Sequence, residues 1–188
     1  MNTVLITGSN GLIGSAAVTF FAPKADLILG LDNNMRKHFF GDGGDTKWRE
    51  LNLKNKFNNF IPHNIDIRDY NGLKQIFKKY NSDIDLIIHT AAQPSHDWAL
   101  KDPILDFEVN ANGTLNLLQL TKLHSKDAVF IFTSTNKVYG NTPNQLPFIE
   151  LENRWELDSK HDFFKNGINE TMSIDNSTHS IFGASKVA

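Results

Sequence analysis

The sequence predicts an α/β protein built on a parallel sheet wound on both faces. Three observations predict it. Short apolar runs alternate with stretches of helical periodicity. A glycine-rich turn joins the first run to the first helix. An acid, Asp32, closes the second run. Continuous apolar strands separated by helices are the pattern of a parallel sheet covered on both sides.

Thr3 to Ile6 makes the first run. Leu12, Ile13, Ala16, Ala17, Phe20 and Phe21 then recur at helical spacing, and Pro23 ends that helix. Leu27, Ile28 and Leu29 form the second run. Ile65 falls in an expected third strand that ends around Asp66. Leu73, Ile76, Phe77 and Tyr80 lie at i, i+3, i+4 and i+7 and predict an amphipathic helix, with Lys78 and Lys79 at its solvated end. Leu86 to Ile88 is the fourth strand. Phe107, Ala111, Leu115 and Leu118 predict the apolar face of a long helix. Val129 to Phe132 is the fifth strand.

Two segments break this rhythm. Residues 33–58 carry Gly41, Gly43, Gly44 and many Asn and Lys, and read as an insertion with one short helix. Residues 140–178 are rich in Asn, Pro, Asp and Glu and show little periodicity. A loop this long is functional or disordered. Ser177 and Thr178 are the expected caps of a last helix.

The 188 residues are enough for one domain with a real core. Apolar residues at 40% and charged residues at 21% are a globular composition. A net charge of −2 argues against nucleic acid as a partner, which calls for a basic stripe. Zero cysteines exclude a disulfide framework and a thiolate metal site, fit a reducing cytoplasm, and leave no metal expected. No apolar run approaches the roughly 20 residues of a membrane span. Val4 to Ile6 is too short for a signal peptide.

Thr7-Gly8-Ser9-Asn10-Gly11-Leu12-Ile13-Gly14 is a Gly-x-x-Gly-x-x-Gly turn between strand and helix. Its glycines permit the tight turn, the approach of backbone to a pyrophosphate and the close packing of helix on strand. The helix N-terminus adds N–H groups and a partial positive charge. Asp32 stands about 20 residues further on, where a carboxylate accepts hydrogen bonds from the adenosine ribose and repels a 2′-phosphate. The expected cofactor is therefore NAD, held by Gly8, Asn10, Gly11, Leu12, Ile13, Gly14, Asp32 and the adjacent Asn33. Arg36 reads as a surface arginine. Asp66 and Ile67 either meet the adenine or simply start the next helix.

These residues resemble the extended short-chain dehydrogenase/reductase family, whose NAD-binding half has a Rossmann-like, doubly wound sheet. The resemblance rests on the glycine turn and on three further motifs in order. These are His89-Thr90-Ala91-Ala92-Gln93-Pro94-Ser95, Asn110-Ala111-Asn112-Gly113-Thr114 and Thr133-Ser134-Thr135-Asn136-Lys137-Val138-Tyr139-Gly140. Asp32-Asn33-Asn34-Met35-Arg36, Ser134 to Gly140 and Met172-Ser173-Ile174-Asp175 look most like the CDP-paratose 2-epimerase (CDP-tyvelose epimerase) group. Such enzymes keep NAD bound, take a hydride from a sugar carbon and return it to the opposite face.

The resemblance implies roles residue by residue. Thr135 matches the catalytic Ser/Thr, and Lys186 matches the lysine that is both catalytic and cofactor-binding. Thr90, Ala91, Ala92 and Asn110 join the cofactor set, although Asn110 reads equally as a structural amide. Gln93, Ser95, Asn136 and Lys137 are implied at the substrate. Tyr139 reads as a packing residue. The partner implied is a nucleotide sugar, with a CDP-sugar favoured.

The chain departs from the family at Phe182-Gly183-Ala184-Ser185-Lys186, which has Tyr-x-x-x-Lys spacing with Phe in the tyrosine's place. A phenyl ring moves no proton. Three readings stay open: His179 or Lys186 acts as base, the site is slow or dead, or the substrate and mechanism differ. Relatives also continue into a C-terminal substrate domain. Residues 1–188 therefore read as an NAD-binding domain truncated before that region, completed by self-association into a homo-oligomer or by another chain.

Overall fold

Five parallel strands form the main sheet: β1 (Thr3–Thr7), β2 (Leu27–Asp32), β3 (Phe60–Asn64), β4 (Ile84–His89) and β5 (Val129–Phe132), in the order β3-β2-β1-β4-β5. The computed structural model describes residues 1–188. They divide into two units, Met1–Thr133 and Ser134–Ala188.

In the first unit every residue of β1 is buried. Side chains alternate between the two faces. Leu5, Leu29 and Ile87 pack with Leu73 and Phe77 of α4 (Tyr70–Tyr80) and with Leu117 and Leu120 of α7 (Gly113–His124). Val4, Ile6, Ile28 and Ile88 pack on the other side, with Val18 of α1 (Leu12–Phe21) and Leu53 of α3 (Lys47–Lys56). The sheet is thus covered on both faces, as the runs predict. Order inverts at β1, which lies between β2 and β4. Crevices for ligands open at such a point, beyond the carboxyl ends of the strands.

Several local readings need correction. The third strand is Phe60–Asn64, so Ile65 and Asp66 lie just past its end. Residues 33–58 hold two helices, α2 (Met35–Phe40) and α3, joined by a 3-10 turn. A single side chain organises them. Asn34, at φ 57° before α2, accepts from both the backbone N–H (2.9 Å) and the hydroxyl (3.0 Å) of Thr46, the residue before α3. Apolar periodicity carries no trace of such a clamp.

Helix faces were misjudged for a common reason. In α1 the buried residues are Gly14 and Val18, whereas Leu12, Ile13 and Phe20 are exposed. A Cβ on Gly14 would overlap the Gly8 carbonyl, so the smallest side chain makes the closest contact. The expected long helix is α6 (Pro103–Phe107), a π-turn (Glu108–Asn112) and α7. Its buried side carries Val109, Leu117 and Leu120, while Phe107, Leu115 and Leu118 face out. The π-turn adds a residue to the turn and rotates the register. Gly113 packs on Ile67, leaving no room there for a side chain. β4 is the only strand paired to β5, and Val129 and Ile131 are exposed.

The second unit contains a 3-10 turn at Asn136–Tyr139, a second at Thr142–Gln145, and an antiparallel pair, β6 (Phe148–Glu150) with β7 (Trp155–Leu157). Its last element is α8 (Ile181–Val187). Ser180 caps α8, accepting from the Gly183 N–H at 3.1 Å. The expected caps serve elsewhere. The Ser177 hydroxyl donates to the Tyr139 carbonyl at 2.8 Å, and the Thr178 N–H to the Asn141 side chain at 3.1 Å.

Candidate functional site

The glycine turn leaves the carboxyl end of β1 in the crevice between β2 and β4. Gly8 adopts φ +65°, and a Cβ there would meet the Ala91 N–H group. Gly11 N–H donates back to the Gly8 carbonyl at 2.9 Å. With Gly14 pressed on the same carbonyl, the turn keeps its backbone bare at the head of α1. The first N–H groups of a helix have no partner within it and attract anions. This is the shape a dinucleotide's pyrophosphate requires, so the residues present fit that group.

Asp32 anchors the turn as well as facing the cleft. One carboxylate oxygen accepts from Asn10 N–H at 3.0 Å and the other from Asn34 N–H at 2.8 Å. An ionised carboxylate offers about four acceptor sites, so capacity for two ribose hydroxyls remains. Burial is the main influence pushing the Asp32 carboxyl above its usual range, helped by the charge of Glu50 and opposed by those two N–H bonds. Glu50 accepts from the Asn10 amide at 3.0 Å, and Arg49 donates to the Asn10 carbonyl at 3.3 Å. α3 therefore holds the turn from outside. The sequence reading missed Arg49, Glu50, Asn34 and Thr46, which lie in the segment read as an insertion.

Asp66 borders the cleft, and its carboxylate is engaged. It takes the Arg68 guanidinium on both oxygens (2.7 to 3.2 Å) and the Asn33 amide at 2.9 Å. Burial works against the charge, but the Arg68 bonds outweigh it and hold the carboxyl below the usual range. Arg36 is exposed, with its guanidinium 4.7 Å from the Phe40 ring centroid.

On the β4 side a buried relay fixes the His-x-Ala-Ala segment. The Thr114 hydroxyl donates to the Asn110 carbonyl at 2.6 Å, so it accepts from His89 Nε2 at 2.8 Å. His89 Nδ1 then accepts the Thr7 hydroxyl proton at 2.7 Å, and that oxygen accepts from Thr90 and Ala91 N–H at 3.2 and 3.1 Å. In these bonds His89 Nε2 is the donor and Nδ1 the acceptor. The residue types are in the motif, but their relay depends on β1, β4 and α7 meeting.

Most residues read as cofactor-binding line one cleft: Gly8, Gly11, Leu12, Ile13, Gly14, Asp32, Asn33, Asp66, Ile67, Thr90, Ala91 and Ala92. Asn10 and Asn110 are buried beside it. The Asn110 side chain accepts from Gln93 N–H at 3.0 Å and donates to Asp106 at 3.1 Å. Two substrate assignments meet engaged side chains. The Gln93 amide is buried and donates to the Ser95 carbonyl (2.8 Å) and the Asp106 carboxylate (2.7 Å), while its oxygen accepts from Ser95 N–H. The Ser95 hydroxyl caps α5 (His96–Lys101).

In the second unit, Thr135 Oγ1 accepts from Lys137 N–H at 3.3 Å, at the head of the 3-10 turn that carries exposed Asn136 and Lys137. Phe182 and Lys186 are buried on α8. Gly183 sits against the Lys137 carbonyl, 2.8 Å from where its Cβ would be, which draws α8 onto that turn. His179 Nε2 donates to the Val138 carbonyl at 2.7 Å. Tyr139 donates to the Asn169 carbonyl at 3.2 Å. No group of three or more His, Cys, Asp or Glu is placed to hold a metal ion. No helix is long and apolar enough to cross a membrane.

The family model of the NAD dependent epimerase/dehydratase family matches residues 4–161. The chain belongs to that family. This member is 33% identical over 185 residues to the CDP-paratose 2-epimerase of Salmonella typhi, covering 98% of this chain and 50% of that protein. It is 34% identical over 153 residues to the UDP-glucuronate 4-epimerase of Thermodesulfobacterium geofontis, covering 80% of this chain and 44% of that protein. In fold it is similar to the UDP-Glc/GlcNAc 4-epimerase of Campylobacter jejuni, with a TM-score of 0.72 at 23% identity over 100% of this chain and 46% of that one. The chain thus spans about half the length of the relatives it matches.

Proposed function

We propose that this chain is the NAD-holding part of a nucleotide-sugar epimerase, with a CDP-sugar as its substrate and the cytoplasm as its place of work. The observation that carries the reading is the bare glycine turn with Asp32 behind it, in a chain 33% identical to a CDP-paratose 2-epimerase. NAD, when bound, supplies a hydride acceptor that can also give the hydride back. The chain's residues do the rest. Residues 1–188 act as the NAD-binding domain, with Gly8 to Gly14 taking the pyrophosphate and Asp32 gripping the ribose. Asp66 and Ile67 border the adenine, and Thr90 to Ala92 border the rest of the dinucleotide. Thr135 hydrogen-bonds the reacting hydroxyl, and Lys186 lends its charge there and to the cofactor ribose. Asn136 and Lys137 are the surface groups that meet the sugar nucleotide. The exposed β5 edge favours association with a second copy or a completing chain.

A second reading has its own observation. Phe182 stands where a proton-moving tyrosine is implied, so the chain holds NAD without turnover. One experiment separates the two. The NAD-loaded chain is mixed with CDP-sugars, and the NADH absorbance band is followed. Transient reduction supports the epimerase. NAD binding with no response to any nucleotide sugar supports the silent module, and absence of NAD binding defeats both.

A further inference from the structure

We propose that Trp98 is a positioning residue that latches α2 to α5 across the dinucleotide cleft and so slows cofactor release; this rests on the cofactor reading above. The argument begins with topology. α2 follows β2 and α5 follows β4, and β1 lies between those strands. Neighbouring strands are about 4.8 Å apart, so the two helices depart from strands roughly 10 Å apart, on opposite sides of the β1 carboxyl end. The glycine turn issues from that end.

The helices nevertheless touch. The Trp98 indole N–H donates to the Phe39 carbonyl at 2.8 Å. The Trp98 ring meets the Phe39 ring edge-on at 5.4 Å between centroids and the His38 ring at 5.2 Å. This bond has a physical reason. α2 has only six residues and stops at Gly41, whose φ is +65°. The last carbonyls of a helix have no partner within it, and the indole N–H of half-buried Trp98 finds its acceptor there. Trp98 thus caps the end of α2 from another helix. Phe39 is buried although α2 lies at the surface, and it lines the cleft together with Ala91 and Pro94.

A dinucleotide laid on the glycine turn lies between that turn and the α2–α5 contact. Its departure requires the contact to open. Trp98 does not itself line the cleft, so shortening it removes the ring packing and the hydrogen bond while leaving every cleft-lining side chain unchanged in type. The effect therefore falls on the release rate.

The test uses the 188-residue chain loaded with NADH and chased with excess NAD, with the loss of bound-NADH fluorescence followed by stopped flow. Trp98→Ala is expected to release NADH about tenfold faster or more, which is about 1.4 kcal/mol. Trp98→Phe keeps a ring but loses the N–H, and is expected to fall between, at about threefold or more. Leu100→Ala, which trims an exposed side chain of the same helix, should release at the wild-type rate. Thermal unfolding without cofactor checks that each variant folds. If Trp98→Ala fails to fold, Trp98→Phe carries the test. Folded Trp98 variants that release NADH at the wild-type rate overturn the latch alone, as does an equal acceleration by Leu100→Ala. A wild-type chain that takes up no NADH overturns the cofactor reading, and the latch with it.

Discussion

Two sets of motif residues in this chain are built differently. In Met1–Thr133 they are tied into backbone geometry: Gly8 to Gly14 by close approach, Asp32 by two N–H bonds, His89 by hydroxyls on either side. In Ser134–Ala188, Thr135 precedes a four-residue 3-10 turn that carries exposed Asn136 and Lys137, and buried Lys186 sits on a seven-residue helix. The contrast separates two kinds of demand. Holding a pyrophosphate asks for bare backbone at one place, and glycine spacing records it. Moving a proton asks for one side-chain type at one position, and a single substitution removes it.

The largest effect is expected from restoring that side chain. Phe182→Tyr should raise the rate of sugar-dependent NAD reduction by about 10²–10⁴-fold, the usual worth of a general base, with NADH affinity unchanged. A variant with no gain would mean that the second unit lacks more than its base.

The glycines sharpen the contrast next. Gly14→Ala overlaps the Gly8 carbonyl. Overpacking of this kind costs about 1–3 kcal/mol, so NADH affinity measured by fluorescence titration should fall about 10- to 100-fold. Gly183→Ala presses on the Lys137 carbonyl in the second unit and should leave NADH affinity unchanged. Equal losses from the two substitutions would erase the distinction drawn here.

Asp32→Asn should weaken NADH by about tenfold, the scale of a lost charge-assisted bond. The wild type also carries a pH signature. Ribose hydroxyls donate best to the ionised carboxylate, and burial raises this carboxyl's pKa. Affinity should therefore be full above that pKa and decline as pH falls through it, beginning above the ordinary carboxylate range. Stability runs the other way. The folded chain keeps the Asp32 proton to higher pH than the unfolded chain does, so this group's contribution is present at low pH and lost as pH rises. Asp32→Asn should flatten both profiles in titrations across mildly acidic pH.

The smallest effect belongs to the pair beside the cleft. Arg68→Ala should cost about 1 kcal/mol, the upper end for a partly exposed ion pair, read as a lowered urea midpoint at neutral pH. The lowered Asp66 carboxyl contributes stability above its unfolded pKa and loses it as pH falls through the folded value. The difference between wild type and variant should therefore shrink below about pH 4.

The sheet was legible because its strands are continuous apolar runs, and a strand buried on both faces has no other way to be written. The same rule led to error at helices. Leu12, Ile13 and Phe20, or Phe107, Leu115 and Leu118, are periodic and apolar, yet the buried faces belong to Gly14 with Val18 and to Val109 with Leu117. Packing distance, set by glycine in one case and by a π-turn in the other, chose the face. Among site residues, Gly8, Gly14 and Asp32 were readable because each has a fixed offset within one strand–turn–helix unit.

What the sequence determined by itself was the alternation of strands and helices, the bare turn, the acid behind it and the phenyl ring at position 182. Each follows from residue type at a short, fixed separation. Tertiary structure alone decided that Glu50 and Arg49 brace Asn10, that His89 is held between Thr7 and Thr114, and that Trp98 reaches Phe39. Those pairs are distant in the chain, and only the order of β2, β1 and β4 in the sheet brings them within hydrogen-bonding reach.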